Sequence, residues 1–139
     1  MKKFGKINRI VAGMMLSSLL LVTAGSESTY AATNVSGKIG NLVCSGSVSY
    51  SSTPAGVVNG VNAVTSFGAG GTIKATSTVC YKFNGIKYKK TASNTSSAGG
   101  VLATAKTGDV GNVYGGIGVH YVKYGAYTWN DTSKIGTTW

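Results

Sequence analysis

Arginine, histidine and acidic side chains are scarce in this 139-residue chain. Arg9 is the only arginine, His120 the only histidine, Pro54 the only proline, and Glu27, Asp109 and Asp131 are the only acids. Each shortage excludes something. Side-chain acid–base catalysis needs a group that can be tuned near neutrality, and beyond the N-terminal segment the chain offers one histidine and two aspartates. No serine sits in a G-x-S-x-G nucleophile elbow, so a triad built on His120 has no marked nucleophile. Glycosidases of the usual kind need two facing carboxylates; here these would be Asp109 and Asp131, both in turn-like sequence where capping is the simpler role. No second histidine or carboxylate cluster accompanies His120, so no metal and no cofactor is expected. His120, between Val119 and Tyr121, reads instead as a hydrogen-bonded strand residue. Arginine is the side chain of bidentate phosphate and guanine contacts, and its absence after residue 9 argues against a nucleic-acid partner.

Long apolar runs are also rare, and the single one is informative. Lys2, Lys3, Lys6 and Arg9 precede an uncharged stretch from Ile10 to Ala24, followed by polar Gly25-Ser26-Glu27-Ser28. That order matches a secretory signal peptide, and the run falls short of the roughly 20 apolar residues of a membrane span. Thr29-Tyr30-Ala31 and Tyr30-Ala31-Ala32 both offer small residues for cleavage, so residues 1–31 are expected to be removed. Residues 32–139 then form a single secreted, extracellular, β-rich domain. Its nine lysines against Asp109 and Asp131 give a net charge of about +7. Lysine point charges fit a diffuse anionic surface, such as a bacterial membrane or wall polymer, and also serve plain solubility.

Cys44 and Cys80 are the only cysteines. In an oxidising setting an even pair in a small domain points to one disulfide, whose closed loop would contribute roughly 3 to 4 kcal/mol by chain-entropy scaling; two reduced thiols or an intermolecular link are the alternatives. The expectation is a bond tying the first strand of the exported domain to the strand entering the next hairpin.

What the chain does have is Gly, Ser, Thr, Val and Tyr, in strand-like order. Leu42, Cys44, Val48 and Tyr50 share one parity against Ser45, Ser47 and Ser49. Thr53-Pro54-Ala55-Gly56 turns the chain, Val57 to Phe67 is a second extended segment, and Gly68-Ala69-Gly70-Gly71 breaks it before a third from Thr72. Asn84-Gly85 suits a type I′ hairpin, with Phe83 facing Ile86, Tyr81 facing Tyr88 and Lys82 facing Lys87. That register sets Cys80 and Lys89 among the lysines, in conflict with a disulfide pointing into the body unless a bulge intervenes. Val101, Ala103 and Ala105 alternate with Leu102, Thr104 and Lys106, and Thr107-Gly108-Asp109 leads into the glycine-rich stretch ending at Gly118, read as two strands of a flexible hairpin. His120 to Trp129 reads as the last strand. Short strands, frequent turns and no helix signal predict an all-β fold, a small antiparallel β-sandwich or barrel with one disulfide.

Two features carry the functional expectation. Lys82, Lys87, Lys89 and Lys90 crowd one hairpin, where opposed like charges are destabilising and an anionic partner would relieve them; lysines guarding an edge strand are the simpler explanation. Tyr121, Tyr124, Tyr127 and Trp129 are aromatics suited to a membrane interface. The uncharged run from Ile39 to Ile73 fits either a lipid-facing strand or an ordinary sandwich strand. The basic, Gly- and Tyr-rich second half resembles in texture small exported β-sandwich bacteriocins of the lactococcin type, but their tryptophan-containing start is missing and this chain has cysteines, so no residue role follows from the likeness. The expected function is a secreted, basic, non-catalytic antibacterial (bacteriocin-like) protein acting on an anionic bacterial membrane or cell-wall polymer. The alternative is an extracellular module that binds wall polysaccharide or inhibits a protease.

Overall fold

The computed structural model describes residues 32–108 and 111–139. The expected signal peptide and Asp109 lie outside the described residues. Among the described residues eight strands follow one another: β1 (Asn34–Ile39), β2 (Leu42–Ser52), β3 (Val58–Phe67), β4 (Thr72–Phe83), β5 (Ile86–Ser96), β6 (Gly99–Lys106), β7 (Asn112–Tyr124) and β8 (Tyr127–Gly136). They form two four-stranded antiparallel sheets, in the orders β1-β2-β3-β6 and β5-β4-β7-β8, and the fold is all-β and sandwich-like. Among the described residues there is no helix long and apolar enough to cross a membrane.

The period-2 pattern explains most of the strands. In β4, Ile73, Ala75, Ser77 and Val79 are buried, while Lys74 between them is exposed. The turn residues behave as their chemistry demands: Asn84 and Gly85 both take positive φ, 50° and 78°, as a type I′ turn requires. Gly56 donates its N–H to the Thr53 carbonyl (2.8 Å) and closes the Thr53–Gly56 turn.

Three sequence expectations are corrected. Thr107-Gly108 does not close a hairpin: β6 pairs with β3 in one sheet and β7 pairs with β4 and β8 in the other, so this connection crosses between sheets. The segment His120 to Trp129 is two strands, because Gly125 takes a positive φ of 60° and turns the chain between Tyr124 and Tyr127. Asp131 lies within β8 rather than in a turn.

The disulfide is the largest correction, since Cys44 and Cys80 are free thiols, both buried. The hairpin register predicted from Asn84-Gly85 is the one observed, with Cys80 opposite Lys89 and Lys82 opposite Lys87. Cys80 therefore lies on the outer face of its sheet, between inward-facing Val79 and Tyr81. The bulge does occur, between Cys80 and Tyr81 in the pairing with β7, but the extra residue is Tyr114 on β7 and Cys80 keeps its outward side. It is covered there beside Gly115, where an added Cβ would overlap the backbone of Thr137. Cys44 points inward from the other sheet, in the apolar cluster with Phe67, Ile73 and Trp129. Ile73 is seven residues before Cys80 on β4, roughly 20 Å along a strand, while a disulfide needs Cα atoms within about 7 Å.

The sheets meet through glycines opposite large side chains. A Cβ at Gly37 would overlap the Trp129 ring, one at Gly46 the His120 ring, and one at Gly116 the Val61 side chain. Two apolar clusters result, one around Ile39, Cys44, Phe67, Ile73, Val122 and Trp129 and one of Val48, Val61, Val79 and Ala105. A polar layer of Thr65, Ser77, His120 and Ser133, each fully buried, lies between them.

Candidate functional site

The buried polar layer is the place to look first for chemistry, because its hydrogens can be assigned. Thr65 Oγ1 donates to the Lys74 carbonyl (2.9 Å). Its single proton being used, it accepts from His120 Nδ1 at 2.9 Å. The imidazole is then the Nδ1–H tautomer, and Nε2 accepts from Ser133 Oγ at 2.7 Å. Ser77 Oγ completes the layer by donating to the Val61 carbonyl (2.6 Å). The order Ser133 to His120 to Thr65 has the donor direction of a Ser-His-acid triad. It differs in two ways that matter: the orienting group is a neutral hydroxyl, and all three residues are sealed from solvent. Burial pushes His120 down to about 4, because taking an imidazolium out of water is unfavourable. Asp131, across from His120 in register, directs its carboxylate to the N–H of Thr132 (2.8 Å). The arrangement holds the two sheets together, and its serine is closed to a substrate. Cys44, with its thiol pushed up to about 11 by burial, is likewise no nucleophile. No group of three or more His, Cys, Asp or Glu able to hold a metal occurs among the described residues.

The surface candidate is the β4–β5 hairpin. Outward alternation puts Lys82, Lys87 and Lys89 on one face, with Lys82 and Lys87 directly paired across the strands and Lys89 beside Cys80. Lys90 pairs with inward-facing Val79 and so belongs to the opposite face; the four-lysine cluster is three plus one. The like-charge cost expected of the Lys82–Lys87 pair is eased within the fold. Lys82 Nζ lies 4.7 Å from the centre of the Tyr114 ring and Lys87 Nζ 5.1 Å from that of Trp139, and the two rings lie 5.8 Å apart. Cation–π attraction of this kind contributes about 0.5 to 1 kcal/mol at exposed sites. Tyr114 reaches this face because the β7 bulge inserts it between Val113 and Gly115. Trp139 is positioned by the chain after β8, where Thr137 donates its N–H to the Tyr114 carbonyl (2.8 Å).

The expected interface aromatics do not form one surface. Trp129 is only 6 % exposed and belongs to the core, because Gly37 leaves room for its ring; its place among interface residues is corrected. Tyr121 is half-buried. Tyr124 and Tyr127 face one another at the Gly125 turn, Tyr124 packing edge-on against Phe67 with ring centres 5.6 Å apart. The aromatics that adjoin the lysines are Tyr114 and Trp139, which sequence reasoning missed because a bulge and a returning tail, neither visible as a period, bring them there.

No family model, no curated protein and no solved structure matches the chain.

Proposed function

We propose that this is an exported, non-catalytic antibacterial protein of bacteriocin type that attaches to an anionic bacterial envelope through the outer face of the β4–β5 hairpin. The observation that carries the reading is the convergence of Lys82, Lys87 and Lys89 on one outer sheet face in a chain with no acid between residues 32 and 108. A positive patch attracts polyanions and concentrates the protein at their surface. The non-catalytic part of the reading draws support from the sealed His120 layer. A second reading, attachment to wall polysaccharide without killing, is favoured by the adjacent Tyr114 and Trp139 rings, since aromatic faces can stack on sugars. Sedimentation of the protein with intact bacteria and with isolated cell walls, run beside a growth-inhibition assay, tests both. Retention with killing is expected; retention without killing favours the second reading, and no retention at physiological salt contradicts both.

A further inference from the structure

The β4–β5 hairpin has a second face that the lysine reading does not use. Beyond Val79, the last fully buried inward residue of β4, the inward side of the hairpin carries Tyr81 and Phe83, paired with Tyr88 and Ile86. Tyr81 still packs against the Val48–Val61 cluster, but past it no strand of the opposite sheet among the described residues covers the tip: Ile86 is 58 % exposed, Phe83 40 % and Tyr88 39 %. Tyr81 and Tyr88 stack on each other, ring centres 5.5 Å apart at 23°, leaving Phe83 and Ile86 as an apolar pair at the very tip. Packing among the described residues does not account for an exposed aliphatic and an exposed aromatic side by side, and such patches mark interaction surfaces.

We infer that the hairpin tip is a wedge that enters the interfacial layer of an anionic lipid bilayer, Phe83 and Ile86 leading and the lysines staying at the phosphates. The inference rests on the anionic-envelope reading and names its partner. The distances fit. At about 3.4 Å per residue, Lys89 lies roughly 10 Å and Lys90 roughly 14 Å behind the Phe83–Ile86 pair, and interfacial elements bury their apolar side about 5 to 10 Å deep. Lys82 and Lys87 are nearer the tip, and long lysine side chains extend their ammonium groups back towards water. The stacked tyrosines fall between the tip and Lys89 and Lys90, where amphipathic rings are favoured. The charge is complementary on both faces, with Lys82, Lys87 and Lys89 on one and Lys90 on the other. A phosphate or sugar-acid polymer would satisfy the lysines but leave Phe83 and Ile86 in water, so the bilayer is the partner that uses both features.

The test compares the protein with its Phe83→Ser/Ile86→Ser variant on three probes: phosphatidylglycerol-containing vesicles, pure phosphatidylcholine vesicles and a polyphosphate resin. The protein is expected to bind the anionic vesicles and the resin, and to leave the neutral vesicles. The variant should keep the melting temperature and the resin binding, and lose roughly 10-fold or more in affinity for the anionic vesicles, the loss set by two apolar side chains no longer leaving water. Resin binding without vesicle binding would overturn the wedge and leave the anionic-envelope reading standing. Binding to neither anionic probe would overturn both. A variant that binds anionic vesicles as tightly as the parent would show that lysines alone make the contact.

Discussion

The body of the sandwich and the β4–β5 hairpin end obey the same alternation and come to opposite fates. In the body, inward positions are small where the facing sheet is bulky: Gly37 under Trp129, Gly46 under His120, Gly116 under Val61. At the hairpin end the inward positions are large; Tyr81 still packs against the Val48–Val61 cluster, and past it Phe83, Ile86 and Tyr88 stand exposed. Alternation decides which side of a strand a residue is on; an opposing layer decides whether that side is covered. The body uses its periodicity for burial, and the hairpin tip is left with exposed side chains on both faces.

The sharpest way to break the body is to remove one of its small partners. Gly46→Ala would drive a methyl group into the His120 ring, which is held on both nitrogens and cannot yield. Overpacking of this kind costs about 3 kcal/mol, or a fall in melting temperature of about 10 °C or more at this size. Gly68→Ala, at a position with open space around it, should leave the melting temperature almost unchanged.

Acid attacks the same layer more gently. The folded His120 lies at about 4 against an ordinary 6.5, so the unfolded chain takes up the proton first as pH falls. Stability from this group is complete above about 6.5, declines between 6.5 and 4, and levels off below; the total is about 3 kcal/mol. With one histidine in the chain, its ring proton resonance by NMR should show no titration above about pH 5. Denaturant midpoints at pH 7 and 4.5 should fall in step, and a histidine titrating near 6.5 in the native protein would contradict the sealed layer.

The smallest expected effect is none. Because Cys44 faces the core of one sheet and Cys80 the outer surface of the other, a reductant should not move the melting temperature, and intact mass should show both thiols. A drop of several degrees on reduction would mean that the strands are arranged differently.

Much of this fold was legible in the sequence. The alternation of Leu42 to Tyr50, the Gly68–Gly71 break and the Asn84-Gly85 register follow from local chemistry, and the structure has all three. The disulfide failed because compartment and parity in number argue for pairing without saying where either cysteine points, whereas the hairpin register already placed Cys80 among lysines. Trp129 was misplaced because the Gly37 that receives it lies 92 positions earlier in the chain. Of the site, Lys82, Lys87 and Lys89 were readable from register. Tyr114 and Trp139 were not, since a bulge and a chain return bring them in, and neither leaves a periodic trace.

Attachment to an anionic envelope, as proposed, is a property of the hairpin rather than of net charge. Two variants with the same charge separate these. Lys82→Glu/Lys87→Glu reverses the hairpin face, and Lys106→Glu/Lys123→Glu reverses two exposed lysines on β6 and β7. Affinity for anionic envelope preparations at fixed, physiological salt is the quantity to measure. The account predicts that the hairpin pair loses roughly 10-fold or more, at about 1 kcal/mol per lysine near an anionic surface and further loss from the reversed sign, while the β6–β7 pair stays within a few-fold of the parent. Equal losses in the two variants would show that charge alone drives binding and would contradict the account.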